Sequence, residues 1–177
     1  MPGVPMGHAY RNSAEPIGYG QTISQPSMIA LMLRELQIEP HHRVLEVGAG
    51  CGYAAALLSR LAGEVFALEI VPELAQAAEK RLSALGYDNA HVLLRDGYQG
   101  LAEAAPFDRI LVSAAPPSPP PALLHQLARG GRIALPVGDA HGQELVIGNK
   151  SELGEVSFYV SAPCIFVPLV HPAEPVS

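Results

Sequence analysis

The sequence predicts an α/β protein built on a mainly parallel sheet of seven strands with helices on both faces. Three observations carry that expectation. From residue 43 onward, short apolar runs alternate with helical periodicity, the pattern of βαβ units. A glycine-rich turn joins the first of those runs to the helix after it. The last two runs follow each other with no helix between them, which predicts an antiparallel hairpin at the sheet edge.

The elements follow in order. Met28, Ile29, Met32, Leu33 and Leu36 recur at helical spacing, so a helix is expected over 25–37, and Pro40 ends it. Residues 43–47 read as a buried strand and 53–61 as an Ala/Leu-rich helix. A second strand is expected over 65–68. Pro72 then opens a helix at a first-turn position, and Gly86 follows its end. Strands are expected over 91–94, 109–112 and 132–135, with a helix over 121–127 before the last of them. Residues 144–147 and 156–160 complete the set. The proline-rich stretch 116–121 reads as a stiff loop that starts a helix. Residues 1–24 read as a leader to the first helix.

Composition bounds the function. A chain of 177 residues, 49% hydrophobic and 16% charged, is one globular domain rather than two. No apolar stretch approaches the roughly 20 residues of a membrane span, and no membrane partner is expected. Met1 to Met6 lacks a basic and an apolar region, so no signal peptide is read there. Two cysteines, Cys51 and Cys164, do not make a disulfide framework, and a reducing cytoplasm is the expected home. A net charge of -6 without any Lys/Arg cluster argues against nucleic acid. His41, His42 and the other histidines lack metal-site spacing, and no metal is expected.

The chemistry starts at "LEVGAGCGY", residues 45–53. Gly48, Gly50 and Gly52 let the backbone approach a ligand and bend into the helix. Their G-x-G-x-G spacing, with Glu46 two residues ahead, suits a nucleoside without a pyrophosphate; the dinucleotide fingerprint would need glycine at Tyr53. Glu69 ends the second strand at about the offset where a carboxylate meets ribose hydroxyls. Asp96-Gly97 follows the third strand, where a carboxylate could accept from an adenine amino group. Together these acids favour S-adenosylmethionine.

Several stretches then carry a family likeness: "PIGYGQTISQPSMIALM", "RVLEVGAGCGYAAALLSRL", "GEVFALE", "LGYDN", "RDGYQGL", "FDRILVSAA", "ALLHQLARGGRIALPVG" and "FVPL". In order from Tyr10 to Leu169, the chain resembles protein-L-isoaspartate O-methyltransferases. The resemblance implies a Rossmann-like S-adenosylmethionine-dependent methyltransferase fold and methylation of the side-path carboxylate of isoaspartyl residues in damaged proteins or peptides. It places Ser24 in the active site. Gln21, Thr22, Glu46, Gly48, Gly50, Gly52, Glu69, Asp96 and Gly97 are the expected cofactor contacts. Residues 1–24 would then be a leader and active-site segment, and 25–177 the cofactor-binding domain of a monomer. Ser24, directly before Gln25-Pro26, also fits a helix N-cap worth about 1 kcal/mol. Cys51 reads as a small filler rather than a nucleophile.

Two departures from the family pattern stand out. The chain starts after the N-terminal helical segment usual in the family, and Ile165 stands where many members carry a basic residue. Two other functions therefore remain in view. One is a carboxylate methyltransferase acting on an aspartyl group of a tailored peptide or on a small acid. The other is a non-catalytic S-adenosylmethionine-binding remnant. A base-modifying enzyme is disfavoured, because Ala115-Pro116-Pro117 lacks the Asn or Asp that would hold an amine.

Overall fold

A computed structural model describes residues 11–139 and 141–171. Met1 to Met6, where no signal peptide is expected, and Tyr10, where the likeness begins, lie outside the described residues.

Within the leader, residues 15–23 form a β-hairpin. β1 (Glu15–Gly18) pairs antiparallel with β2 (Gln21–Ile23). The two-residue loop Tyr19-Gly20 has φ of 54° and 69°, the doubly positive turn whose twist matches paired strands. Strands of four and three residues, one containing Pro16, carry no alternation from which they could be read.

α1 (Pro26–Leu36) follows, with Pro26 at its first turn and Gln25 at the N-cap. Gln25 makes no side-chain cap bond, and the cap position expected at Ser24 is one residue too early. Ile29, Met32 and Leu36 are buried by α1 against the sheet. At its other end, the Leu36 carbonyl accepts Nε–H of the buried Arg109 at 2.6 Å.

The main sheet holds β3 (Arg43–Val47), β4 (Glu64–Glu69), β5 (Ala90–Leu94), β6 (Phe107–Val112), β7 (Leu127–Asp139), β8 (Gly142–Lys150) and β9 (Val156–Cys164). Their spatial order is β5-β4-β3-β6-β7-β8-β9. The first five are mutually parallel. β8 runs antiparallel to both neighbours, so the expected edge hairpin is present. α2 (Tyr53–Leu61), α3 (Pro72–Ala84) and α4 (Pro121–Gln126) complete the layers. β7 is far longer than the expected 132–135: it starts directly after α4, runs through Gly130-Gly131, and carries Pro136 into its pairing with Leu145 of β8. Glycine and proline hide a strand from a reading based on side-chain pattern.

Alternation along the strands divides the core. Val44 and Leu111 face α1 and α2, whereas Leu45, Val47, Ile110 and Val112 pack with Leu123 of α4 on the other side. Chain order reverses between β3 and β6, and a crevice therefore opens beyond the carboxyl ends of those two strands.

Candidate active site

The turn leaving β3 is shaped by its glycines. Gly48, Gly50 and Gly52 have φ of 87°, 53° and 83°, a region that side-chain-bearing residues avoid. The Gly48 and Ala49 N–H groups donate to the Leu68 carbonyl at 2.8 and 2.9 Å, which ties the turn to the end of β4. Gly50 N–H instead donates to Glu69 Oε2 at 2.7 Å. The other oxygen, Oε1, accepts from Ile70 at 2.8 Å and Val71 at 3.0 Å. Glu69 is thereby held rigid at the strand end.

A pocket opens against this turn. Gln21, Thr22, Gly48, Gly50, Glu69 and Gly97 all line it, so six of the expected cofactor contacts converge. Gly97 is required by close approach: a Cβ there would lie 2.4 Å from Val47 Cγ1. Over the pocket runs the segment 167–171, which supplies Val167 to Val170 to its lining. Ala115 N–H donates to the Val167 carbonyl at 2.8 Å, and Leu169 N–H returns the bond to Ala115 at 2.9 Å. The Tyr98 hydroxyl adds a bond to the Leu169 carbonyl at 3.2 Å.

A second, smaller chamber adjoins the first and shares Thr22, Gly48, Gly50 and Ser113 with it. Ser24 and Glu46 line this chamber. Glu46 is 1% exposed. Burial, and then the charge of Glu69, raise its carboxyl well above the ordinary carboxylate range. A wider and mostly apolar groove lies outside, lined by Thr22, Ser24, Met28, Ile165 and Phe166 among others. Thr22 and Ser24 thus stand where the chamber meets the groove. They reach it because the β1–β2 hairpin folds over the glycine turn, with Ile17 of β1 only 3.1 Å from where a Gly50 Cβ would be.

Three expected cofactor contacts do not line the first pocket: Glu46, which lines the second chamber, Gly52 and Asp96. Gly52 is the N-cap of α2, and a Cβ there would meet Ala78 of α3 at 3.3 Å, so it serves helix packing. The Asp96 carboxylate does not line the pocket, although Arg95 and Gly97 on either side do. Its Oδ1 accepts Tyr98 N–H at 2.9 Å and its Oδ2 lies 3.2 Å from His171 Nδ1. His171 in turn stacks on Tyr98, with centroids 4.1 Å apart. Cys51 lines the second chamber, and burial pushes its thiol above the usual range, away from nucleophilic character.

Glu39, His41 and His42 gather with potential ligand atoms within 4.8 Å of one another. Nδ1 of His42 already accepts the Glu39 N–H at 2.8 Å. Burial, and then the charge of Arg109, lower its pKa, which favours the neutral ring with its proton on Nε2. Neither nitrogen then offers a free lone pair, and the trio is a poor cation site. Sequence reasoning gives no role to Ile17, Ser113 or the segment 167–170, although all but Val170 lie within the stretches that carry the family likeness.

An open sheet with a G-x-G-x-G turn at its switch point, an acid closing the next strand and an antiparallel β8 is the arrangement of the Rossmann-like methyltransferases, to which similar solved structures belong. One solved structure, a protein-L-isoaspartate O-methyltransferase, superposes with a TM-score of 0.87 at 26% identity, over 96% of this chain and 56% of that one. This chain therefore spans little more than half of that protein. A protein-L-isoaspartate O-methyltransferase from Plasmodium falciparum, in complex with S-adenosyl-L-homocysteine, matches with a TM-score of 0.80 at 26% identity, covering 94% of this chain and 84% of that one. A curated relative from Polaromonas sp., protein-L-isoaspartate O-methyltransferase 2, is 48% identical over 170 residues, 96% of this chain and 81% of the relative. The model of the protein-L-isoaspartate(D-aspartate) O-methyltransferase family matches residues 4–174, and the chain belongs to that family.

Proposed function

We propose that the protein transfers a methyl group from S-adenosylmethionine to the free carboxylate of L-isoaspartyl residues in proteins or peptides. The observation that carries this is the meeting of Ser24 and Thr22 with the glycine turn in one continuous cleft. The first pocket receives the cofactor: Gln21, Thr22, Gly48, Gly50, Glu69 and Gly97 would hold it, with Glu69 facing the ribose. Asp96 orders the turn that carries Gly97, and Gly52 sets the helix behind the site. The second chamber and the outer groove receive the acceptor.

S-adenosylmethionine supplies a sulfonium methyl, and S-adenosylhomocysteine remains after transfer. The acceptor is a carboxylate with a pKa near 4, already ionised at neutral pH, so the reaction needs no general base. The work of the protein is alignment. Ser24 donates its hydroxyl proton to one carboxylate oxygen and aims the other, and Thr22 sits between the two reactants. Apolar neighbours such as Ile17, Ile23 and Ile29 keep water from the line of transfer. Because the reactants carry opposite charges, a dry chamber strengthens their attraction.

Among the described residues no helix is long and apolar enough to cross a membrane. We place the protein in the cytoplasm as a monomer that acts on damaged polypeptides. Methyl transfer to matched isoaspartyl and aspartyl peptides, measured beside S-adenosylhomocysteine binding, tests the proposal. Preference for the isoaspartyl peptide is expected. Equal or reversed preference identifies an aspartyl carboxylate methyltransferase, and binding without turnover a non-catalytic protein.

A further inference from the structure

Among the described residues three buried side-chain atoms lack a hydrogen-bond partner: Glu46 Oε2, Ser113 Oγ and Asn149 Oδ1. Asn149 lies on β8. The other two belong to the second chamber. Buried polar atoms are almost always satisfied, so two orphans in one small chamber point to a ligand group that satisfies them.

Their placement follows from strand register. Glu46 of β3 pairs with Leu111 of β6, and Ser113 lies two residues beyond Leu111, so both side chains rise from the same face of the sheet. The Ser113 N–H donates to the Val47 carbonyl at 2.8 Å, which carries the ladder one step past β6 and fixes the Ser113 backbone. Ser113 therefore stands at the switch point itself. It lines both the cofactor pocket and the chamber shared with Ser24.

We propose that Ser113 is a second acceptor-binding residue, its hydroxyl donating to the substrate carboxylate from the sheet side while Ser24 donates from the hairpin side. This rests on Ser24 facing the acceptor. Chamber chemistry favours a carboxylate held by hydroxyls. Among the described residues no Lys, Arg or His lines the chamber, so the anion meets no fixed cation there and needs neutral donors. Among the described residues Glu46 is the one carboxyl there, and Cys51 and Tyr53 are the other titratable groups. With burial and Glu69 holding its proton on, Glu46 does not repel an entering anion. Two donors on opposite walls fix a carboxylate in orientation as well as place, which alignment on a methyl carbon requires.

Ser113→Ala is the test. Because its hydroxyl makes no bond within the protein, the variant should melt no lower than wild type. The kcat/KM for an isoaspartyl peptide should fall by roughly 10- to 150-fold, the loss expected for one bond to a charged group. The Kd for S-adenosylhomocysteine should stay within about two-fold. Calorimetric binding of the peptide to the S-adenosylhomocysteine complex should weaken in parallel. That measurement decides the point even if the wild type turns over slowly. Wild-type kcat/KM and peptide affinity would overturn the proposal, as would an equal loss of cofactor affinity, which would make Ser113 a cofactor ligand. If aspartyl peptides prove to be the better substrates, the isoaspartyl assignment fails, while the same comparison on those peptides still decides Ser113. Removing both Ser24 and Ser113 should cost other than the sum of the single losses, because the two hydroxyls share one ligand.

Discussion

Glu69 and Gly50 are joined across the site: the Gly50 N–H donates to Glu69 Oε2 at 2.7 Å, which ties the glycine turn to the end of β4 through a side chain. Two more backbone donors, Ile70 and Val71, fix the other oxygen. A carboxylate has about four acceptor positions, so three internal bonds leave one for a ligand hydroxyl.

That count makes a divided prediction for Glu69→Ala. Loss of the ligand bond should weaken S-adenosylhomocysteine binding by roughly 10- to 150-fold. Loss of the internal bonds should also lower stability, by about 1–3 kcal/mol for buried donors left without an acceptor. Calorimetry and thermal melting read the two effects separately. Unchanged affinity with lowered stability would leave Glu69 a purely structural residue.

Asp96 acts through the turn it closes. Its carboxylate accepts the Tyr98 N–H and meets His171, while Gly97 beside it lines the pocket. Asp96→Ala should therefore weaken adenosine and S-adenosylhomocysteine alike, because the wall for the base is disturbed for both. Survival of adenosine binding would place the effect of Asp96 away from the base.

Much of this site is legible in the sequence, for a physical reason. Gly48, Gly50 and Glu69 occupy turns and strand ends, where backbone geometry restricts residue type and spacing carries information. The parallel strands are legible because both their faces are buried and they read as apolar runs. The β1–β2 hairpin is not, since "EPIG" and "QTI" are too short to show a period. Ser113 is not legible either. A serine after a buried strand looks like any loop serine until register sets it two residues beyond Leu111, the partner of Glu46, and on the same face as that acid. Asp96 is legible as an acid at the right strand end, whereas its local bonds to Tyr98 and His171 are not, because they depend on how the chain folds back at 167–171.

Glu46 predicts a pH dependence. Its folded-state pKa is raised well above its ordinary value of 4.5, chiefly by burial. The folded protein therefore holds a proton that the unfolded chain releases. The associated stability is fully present below the unfolded pKa and is lost as pH rises toward the folded pKa. Wild type should lose stability relative to Glu46→Gln as pH rises from 4.5 toward neutrality. A difference in melting temperature that stays constant over that window would show that Glu46 ionises normally.

Asn89 closes α2 from a distance. Its Nδ2 donates to the carbonyls of Ser59 and Ala62, both at 3.1 Å, and of Gly63 at 3.2 Å, while Oδ1 accepts from the Ser59 hydroxyl. The last carbonyls of a helix have no partner within it. Asn89→Ala should cost about 1–3 kcal/mol in chemical denaturation. Asn89→Asp should cost more, because it replaces the donor with a charge facing three carbonyl oxygens. An aspartate as stable as the asparagine would mean that these bonds contribute nothing net.

Ser24 separates alignment from helix capping. Since Gln25 is the N-cap of α1, Ser24→Ala removes no cap, and its melting temperature should stay close to that of wild type. What it removes is a hydroxyl at the junction of chamber and groove. Losing one hydrogen bond to a carboxylate, about 1.5–3 kcal/mol, should slow methyl transfer by roughly 10- to 150-fold with little change in cofactor affinity. Ser24→Asp sharpens the test through charge. An aspartate there repels an incoming carboxylate within a chamber that holds no cation among the described residues, so turnover should fall below that of the alanine variant. Both variants should bind S-adenosylhomocysteine. If Ser24→Asp turns over an isoaspartyl peptide as wild type does, no carboxylate approaches residue 24, and the acceptor enters the cleft by another wall.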